Sequence, residues 1–302
     1  MAGLNGIVNV YKPKGITSHD VVYRLRKLLG IKKIGHTGTL DPDAEGVLPM
    51  CIGRATKTAD MLTAADKEYL AEVTLGAATD TQDSSGTVIA SADMDKLCIR
   101  AEDIQAAAEE FVGDIMQVPP MYSAVKVGGK KLYELARQGI EIERRPRPVR
   151  IERIDLSDFK PSESRAARFT MRVACSKGTY IRTLCNDLGE RLGCHGHMSG
   201  LVRTKSGRFR VEQSYTLEKI EEMYREGDLS FFTPIDMVFS EYKSLTLSDR
   251  AAFKMCNGTQ VMSPPGAVEG ETYRVYDKNG RFLTVSQVKN GRLNILKTFY
   301  QE

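Results

Sequence analysis

Residues 35–49 read Gly35-His36-Thr37-Gly38-Thr39-Leu40-Asp41-Pro42-Asp43-Ala44-Glu45-Gly46-Val47-Leu48-Pro49. Three glycines and two prolines in so short a run force sharp turns on the backbone, and three carboxylates ride on it. A surface turn is the usual fate of such a cluster. This one, however, runs straight into Val47-Leu48-Pro49-Met50-Cys51-Ile52, an apolar segment with the character of buried chain. A polar loop anchored to the core in this way is expected to line a cleft.

A chain of 302 residues suits one large domain plus one small one, with length enough for a real core. Its 41% hydrophobic and 27% charged residues are those of an ordinary soluble protein, and no run approaches the roughly 20 apolar residues of a membrane span. The first residues lack a basic segment followed by an apolar one, so no secretion signal is read and the cytoplasm is the expected location. The six cysteines are scattered without a CxxC pair, which predicts reduced thiols.

A net charge of +4 is too mild to argue for nucleic acid by itself. The distribution says more. Basic residues gather between Lys12 and Lys33, between Lys126 and Arg150, and between Arg203 and Arg210. Any one cluster reads as a solvated face, but three that converge in space would track phosphates.

Periodicity and turn chemistry place the elements. Gly6 to Tyr11 reads as a strand. Thr17 or Ser18 caps a helix whose inner face is Val21, Val22, Leu25, Leu28 and Leu29, ending at Gly30. The loop at 35–49 and a helix from Arg54 to Ala65 follow. Lys67 to Gly76 alternates as a strand with Tyr69, Ala71, Val73 and Leu75 on one side. Tyr69 at its entrance serves core packing or, as an aromatic at a strand end, stacking on a nucleobase.

Thr79 to Gly86 reads as a polar loop and Glu102 to Val112 as a helix that Val118-Pro119-Pro120 breaks. Residues 121–150, with a Gly128-Gly129 turn and a basic tail, form an excursion from the main sheet. Strands are expected at Val149 to Leu156, Arg168 to Ala174 and Leu201 to Val211, and helices at Tyr180 to Leu192 and Thr216 to Arg225. Arg182 lies in the first turn of the former helix, off its apolar stripe. From Lys243 onward Asn279-Gly280 and Asn290-Gly291 mark hairpins, so this end reads as a small β-rich module.

Several motifs dissolve on inspection. Asp41-x-Asp43-x-Glu45-Gly46 imitates a calcium loop, but its twelfth position is Ile52 and no helix pattern precedes it. Cys194, His195 and His197, with Cys185 nearby, lack the spacing of a zinc site. Thr17-Ser18-His19-Asp20 carries the letters of a hydrolase triad that adjacent residues cannot assemble. Neither GxGxxG nor a Walker A sequence is present. What is left is a carboxylate site without metal or cofactor among basic surfaces. Asp41, extended by the proline after it and anchored by Leu40, is the candidate acid. Asp43 and Glu45 read as solvated. An essential carboxylate in a cleft needs a cation that keeps it ionised, and Arg182 is the candidate.

The stretch from Gly35 to Pro42, with Gly46 to Pro49, resembles the catalytic motif of the TruB family of tRNA pseudouridine-55 synthases. Lys12-Pro13-Lys14-Gly15-Ile16-Thr17-Ser18, Lys67-Glu68-Tyr69, Cys175 to Leu184 and Leu201-Val202-Arg203-Thr204 resemble the family's other blocks in family order, and the likeness runs to about residue 235. It implies an α+β fold of the pseudouridine synthase type: a mixed, largely antiparallel sheet, helices beside it and the cleft across one face.

The activity implied is isomerisation of a T-loop uridine in tRNA without cofactor, metal or energy source. Asp41 would be the catalytic carboxylate, Tyr69 would stack on the flipped base and Arg182 would pair with Asp41. Tyr180 and Leu201 would line the pocket, His36 would fill the space the everted nucleotide leaves, and Lys12 would join these as a substrate-binding residue. The demands of base flipping agree with those roles: an aromatic platform, a filler and phosphate-binding cations. A single essential carboxylate suits a reaction in which no water attacks the sugar.

The same likeness divides the chain into a catalytic domain, 1–238, with an insertion at about 121–150 that folds over the T-arm, and an RNA-binding domain of PUA type, 239–302. The partner expected is the tRNA T-arm, with no membrane, no metal and a monomeric chain. Two other readings compete: an RNA glycosylase or hydrolase pairing Asp41 with an acid such as Asp43, and a non-catalytic RNA-binding or chaperone protein.

Overall fold

The structure, a computed structural model, describes residues 4–97, 99–160 and 168–300. Its centre is a ten-stranded mixed sheet. The main path across it runs Phe232–Thr233, Gly6–Lys12, Glu45–Ile52, Gly196–Ser206, Lys67–Leu75, Arg168–Cys175, Arg147–Lys160 and Gly113–Gln117, with Ile34–His36 and Phe209–Arg210 added at the side. Among the described strands of this sheet every strand-to-strand pairing is antiparallel except one. Glu45–Ile52 and Gly196–Ser206 run parallel, with Val202 opposite Glu45 and Arg203 opposite Gly46. The expected fold class is therefore the observed one.

One face of the sheet carries the main core. Helices Ser18–Leu29, Ala101–Glu109, Ile181–Arg191 and Leu217–Arg225 lay Val21, Leu25, Ile104, Ile181, Leu184, Leu188 and Ile220 against Ala71, Val73, Leu75, Met171 and Val173. The first helix starts where its sequence says it should. Thr17 Oγ1 accepts from the Asp20 N–H and the Asp20 carboxylate accepts from the Thr17 N–H, while Gly30 closes the other end at φ 69°.

Glu45–Ile52 is apolar on both sides because both sides are covered. Leu48, Met50 and Ile52 meet the main core, while Val47 and Cys51 meet Ile7, Ala55, Leu62 and Phe209 on the other face. The loop expected at 35–49 is accordingly shorter. Its last residues are a central strand, and the turn proper is 37–44. Pro49 is tolerated there although it brings no N–H to the ladder. Asn9 lies opposite, and the Asn9 carbonyl is taken by the Tyr215 N–H instead.

Other boundaries move for similar reasons. The helix expected to reach Val112 stops at Glu109, and Gly113–Gln117 becomes an edge strand on Arg147–Lys160. The strand expected from Leu201 begins at Gly196. Residues 121–142 make a separate small unit, in which the Lys126–Val127 and Lys130–Lys131 hairpin and helix Leu132–Ala136 bury Met121, Leu132 and Leu135 together.

The C-terminal residues form a second, five-stranded sheet, Lys243–Thr246, Thr272–Tyr276, Phe282–Lys289, Arg292–Thr298 and Val261–Met262, turning at Asn279-Gly280 and Asn290-Gly291. It has its own core of Leu247, Met255, Val275, Leu283, Val288 and Leu293. The helix Asp249–Cys256, capped by Ser248, belongs to it and escaped the strand-and-turn reading.

An aromatic seam joins this sheet to the main body. The Phe239 ring stands 5.6 Å from Phe299 and 6.1 Å from Phe282. Lys57 Nζ donates to the Thr298 carbonyl at 2.9 Å, and Arg54 Nη1 to the Phe299 carbonyl at 2.8 Å. Five cysteines are free thiols, and Cys98 lies outside the described residues. Among the described residues no helix is long and apolar enough to cross a membrane. Phe239→Ala is expected to destabilise the chain by about 3 kcal/mol, since it empties the centre of the seam. Urea denaturation checks this, and a loss below about 1 kcal/mol would contradict the packing described.

Candidate active site

The turn at 37–44 is short of regular structure, so its backbone groups need partners from elsewhere. They come from four residues, three of them within 12–18. Ser18, one residue inside its helix, donates Oγ–H to the Leu40 carbonyl at 3.1 Å and accepts from the Leu40 N–H at 2.9 Å. The Gly15 N–H donates to the Pro42 carbonyl at 3.0 Å. Lys12 Nζ reaches the same carbonyl at 3.0 Å, and the carbonyls of Pro13 and Ile16 at 2.8 Å each. Arg203 donates Nη2 to the Gly38 carbonyl at 3.2 Å and Nη1 to the Thr39 carbonyl at 3.4 Å. Asp41 is the residue between these clamps.

The Asp41 carboxylate meets Arg182. Arg182 Nε stands 3.1 Å from Asp41 Oδ2, with the arginine side chain 7% exposed and the aspartate 43%. The rest of the guanidinium is also engaged. Nη2 donates to the Tyr122 carbonyl at 2.7 Å, and Nη1 to the Thr81 carbonyl at 3.1 Å and to Asp83 Oδ2 at 3.4 Å. Gln117 holds the start of this helix, accepting from the Tyr180 N–H at 2.8 Å and donating to the Tyr180 carbonyl at 3.0 Å. Burial raises the Asp41 carboxyl above its ordinary range, and Arg182 opposes that shift; nearby Asp83 adds to it.

Tyr69 packs against the main core from its strand, directly across from Arg203. Burial raises its phenol, with Arg203 pulling the other way, so Tyr69 stays neutral near pH 7. His36 ends its short strand half-buried, and burial lowers its imidazole, which keeps it uncharged at neutral pH. Leu201 is buried opposite Ala71, and Tyr180 is the half-buried residue before helix Ile181–Arg191.

Lys12 differs from expectation. Its side chain is fully buried and its ammonium spends its donors on three carbonyls, so it braces the turn from beneath and has no face to offer a substrate. Asp43 is exposed, and Glu45 turns to Tyr11 Oη at 2.8 Å and Lys14 Nζ at 3.4 Å.

Asp83 and Arg203 were missed. Asp83 sits in a polar run that carries every mark of a turn, and it does shape one, accepting from Thr81 Oγ1 and the Ser85 N–H. Arg203 reads in sequence as one of a cluster of solvated cations, because a lone arginine in a strand carries no local sign of burial. The residues around Cys194 find local partners: His195 Nδ1 meets Glu190 Oε1 at 2.6 Å and His197 Nδ1 meets the Ala77 carbonyl at 2.9 Å.

The site thus holds one partly exposed carboxylate in a turn, steadied by a buried arginine that a second carboxylate, Asp83, shares. The profile of the TruB family pseudouridylate synthase N-terminal domain matches residues 26–181. Those of the tRNA pseudouridylate synthase B C-terminal domain and of the pseudouridine synthase II TruB C-terminal region match 182–239 and 244–294.

The chain is 49% identical over 263 residues to tRNA pseudouridine synthase B of Geobacillus thermodenitrificans, covering 86% of this chain and 87% of that one. It is 46% identical over 298 residues to the protein of the same name from Bacillus cytotoxicus, covering 97% and 96%. Among solved structures it superposes on a chain of a Cbf5-Nop10-Gar1 complex with TM-score 0.69 and 26% identity, covering 98% of this chain and 85% of that one. A chain of an H/ACA RNP bound to a substrate RNA containing 2'-deoxyuridine gives TM-score 0.69 at 25% identity, with the same coverage. The chain belongs to the TruB family of pseudouridylate synthases.

The charges around Asp41 make a titration prediction. Asp83→Asn removes a neighbouring negative charge and is expected to lower the Asp41 pKa, whereas Arg182→Gln is expected to raise it. Carboxyl carbon NMR of labelled aspartate follows both, and a shift of either in the opposite direction contradicts the assignment of causes.

Proposed function

We propose that this chain isomerises a T-loop uridine of tRNA to pseudouridine, with Asp41 as the reacting carboxylate. The observation that carries the reading is the Asp41 to Arg182 pair, 3.1 Å apart, in the turn that lies near Tyr69. It is supported by family membership and by the names of the bacterial relatives. The reaction conserves atoms. The N1 to C1′ bond breaks, the uracil turns within the site, C5 bonds to C1′, and the C5 proton leaves while N1 gains one. No co-reactant is required.

An ionised carboxylate serves each of the three routes open to Asp41: addition to the base, attack at C1′, or removal of the C2′ proton on the way to a glycal. Arg182 keeps the negative charge available against the upward push of burial. Tyr69 offers a neutral aromatic face for the flipped uracil, and its hydroxyl a place for a proton in transit. Tyr180 and Leu201 line the pocket, and neutral His36 fills the gap in the RNA stack at no charge cost. A hydrolase needs a second acid for water. Asp43 is exposed, and the Asp83 carboxylate is already occupied by Thr81, Ser85 and Arg182, which favours isomerisation.

The same reading assigns 1–238 to catalysis, the insertion at about 121–150 to the T-arm, and 239–302 to RNA binding as a PUA-type domain. It takes the chain to act as a cytoplasmic monomer without metal or cofactor. T-arm RNA carrying a label on the C5 hydrogen of its uridines tests it. The expected outcome is release of the label with the base still attached; free uracil would point to hydrolysis, and binding without either to a non-catalytic protein. Asp41→Asn is expected to lower turnover by at least about 1,000-fold while RNA affinity stays within about threefold, because affinity rests on many phosphate contacts. Near-normal turnover would remove Asp41 from the chemistry.

A further inference from the structure

Arg203 heads the fully buried side chains of the described residues in size, yet the reaction above gives it nothing to do. A guanidinium taken out of water must place its donors well, since a buried unpaired charge is costly. Arg203 does so on one loop and one strand. Nε donates to the Val47 carbonyl at 2.7 Å, Nη2 to that of Gly38 at 3.2 Å and Nη1 to that of Thr39 at 3.4 Å. Gly38 and Thr39 lie two and three residues before Asp41.

The main chain of Arg203 makes the same connection from the other side. It pairs antiparallel with Tyr69 and parallel with Gly46, so it stands at the sheet's one parallel junction. Directly opposed residues in a ladder project to the same face at about 5 Å between Cβ atoms, which sets the guanidinium beside the Tyr69 side chain. Gly46 shows how tight the junction is. Its φ is 103°, and a Cβ there would come within 2.3 Å of the Arg203 carbonyl oxygen and 2.8 Å of its nitrogen.

We propose that Arg203 is a positioning residue that ties the Gly38–Thr39 backbone to the Tyr69 strand and so sets the gap between Asp41 and the Tyr69 ring into which the uracil fits. The role rests on the isomerase reading and adds a residue to it. A plain structural arginine would lend stability alone. A spacer would instead control turnover while leaving RNA binding, which is spread over the surface, untouched. Lysine separates the two roles, since it keeps the charge but brings one nitrogen where a planar fork is needed.

The test compares full-length wild type, Arg203→Lys and Arg203→Gln on T-arm RNA with the C5 label, together with melting temperature and the NMR resonance of the Tyr69 ring carbons. Displacement of about 1 Å between reacting groups costs on the order of 100-fold. Arg203→Lys is therefore expected to lose about 100-fold in kcat per folded molecule with KM and RNA affinity within about threefold, and to move the Tyr69 resonances. Unchanged kcat per folded molecule, a loss confined to KM, or Tyr69 resonances that stay in place would overturn the proposal. Failure of both variants to fold would assign Arg203 to stability alone and overturn it too. If wild type releases no label, the isomerase reading fails, and the Tyr69 resonances still decide the positioning role.

Discussion

The structure depends on burying cations beneath carbonyl oxygens. Lys12 and Arg203 are both sealed from solvent, and Arg182 nearly so. Each would be a liability alone, because desolvating a charge costs far more than most contacts return. Here the compensation is dipolar. The carbonyls of Pro13, Ile16 and Pro42 take the ammonium, those of Gly38, Thr39 and Val47 take one guanidinium, and those of Thr81 and Tyr122 share the other with two carboxylates. Three of these carbonyls, those of Gly38, Thr39 and Pro42, are free to accept because 37–44 is irregular backbone. A helix or a paired strand in its place would have engaged them in its own ladder, and Lys12 and Arg203 would each lose part of their compensation. Lacking regular structure of its own, the site loop is braced by side chains from outside it.

That arrangement explains what the sequence reveals and what it hides. Asp41 and Arg182 could be paired from sequence because a carboxylate asks for a cation, and Arg182 stood in a helix's first turn off its apolar stripe. The period of its strand puts Tyr69 on one side with Ala71, Val73 and Leu75 and leaves packing or base stacking open; only the family resemblance gives it a site role. Lys12 and Arg203 looked alike, as members of basic clusters, and neither lies at the surface. Nothing local distinguishes a cation buried under carbonyls from one in solvent, since its partners come from distant segments. Lys12 reaches Pro42 across 30 positions and Arg203 reaches Gly38 across 165. Asp83 was hidden differently: it completes its own turn and the arginine's shell with one side chain, and turn chemistry is a sufficient explanation of its presence. The sheet's order follows the same logic. The run from Val47 to Ile52 showed that it was buried, but the parallel junction beside it is set by pairing across more than 150 residues.

Arg182 is also the point where three separate parts of the chain meet. Its Nη2 holds the Tyr122 carbonyl, at the root of the small unit that spans 121–142, while Nη1 holds the turn around Asp83. Gln117, on the edge strand that leads into the small unit, grips the backbone of Tyr180 just before Arg182. A displacement of that unit against the sheet therefore bears on the same guanidinium that steadies Asp41. Between that unit and Asp41 there is no long chain of side chains, only one residue with five donors.

The two partners of the central pair are unequally exposed, and the inequality matters to the chemistry. Arg182 is 7% exposed and Asp41 43%, so the protein has dehydrated the cation and left the anion partly wet. In the proposed reaction, an incoming uracil that covers Asp41 would finish the dehydration only when the substrate is in place. Stripping a carboxylate of water favours its neutral form, the direction in which burial already moves Asp41 against the pull of Arg182. Arg182, already dry, is the fixed charge that would oppose that shift when the proposed substrate covers Asp41.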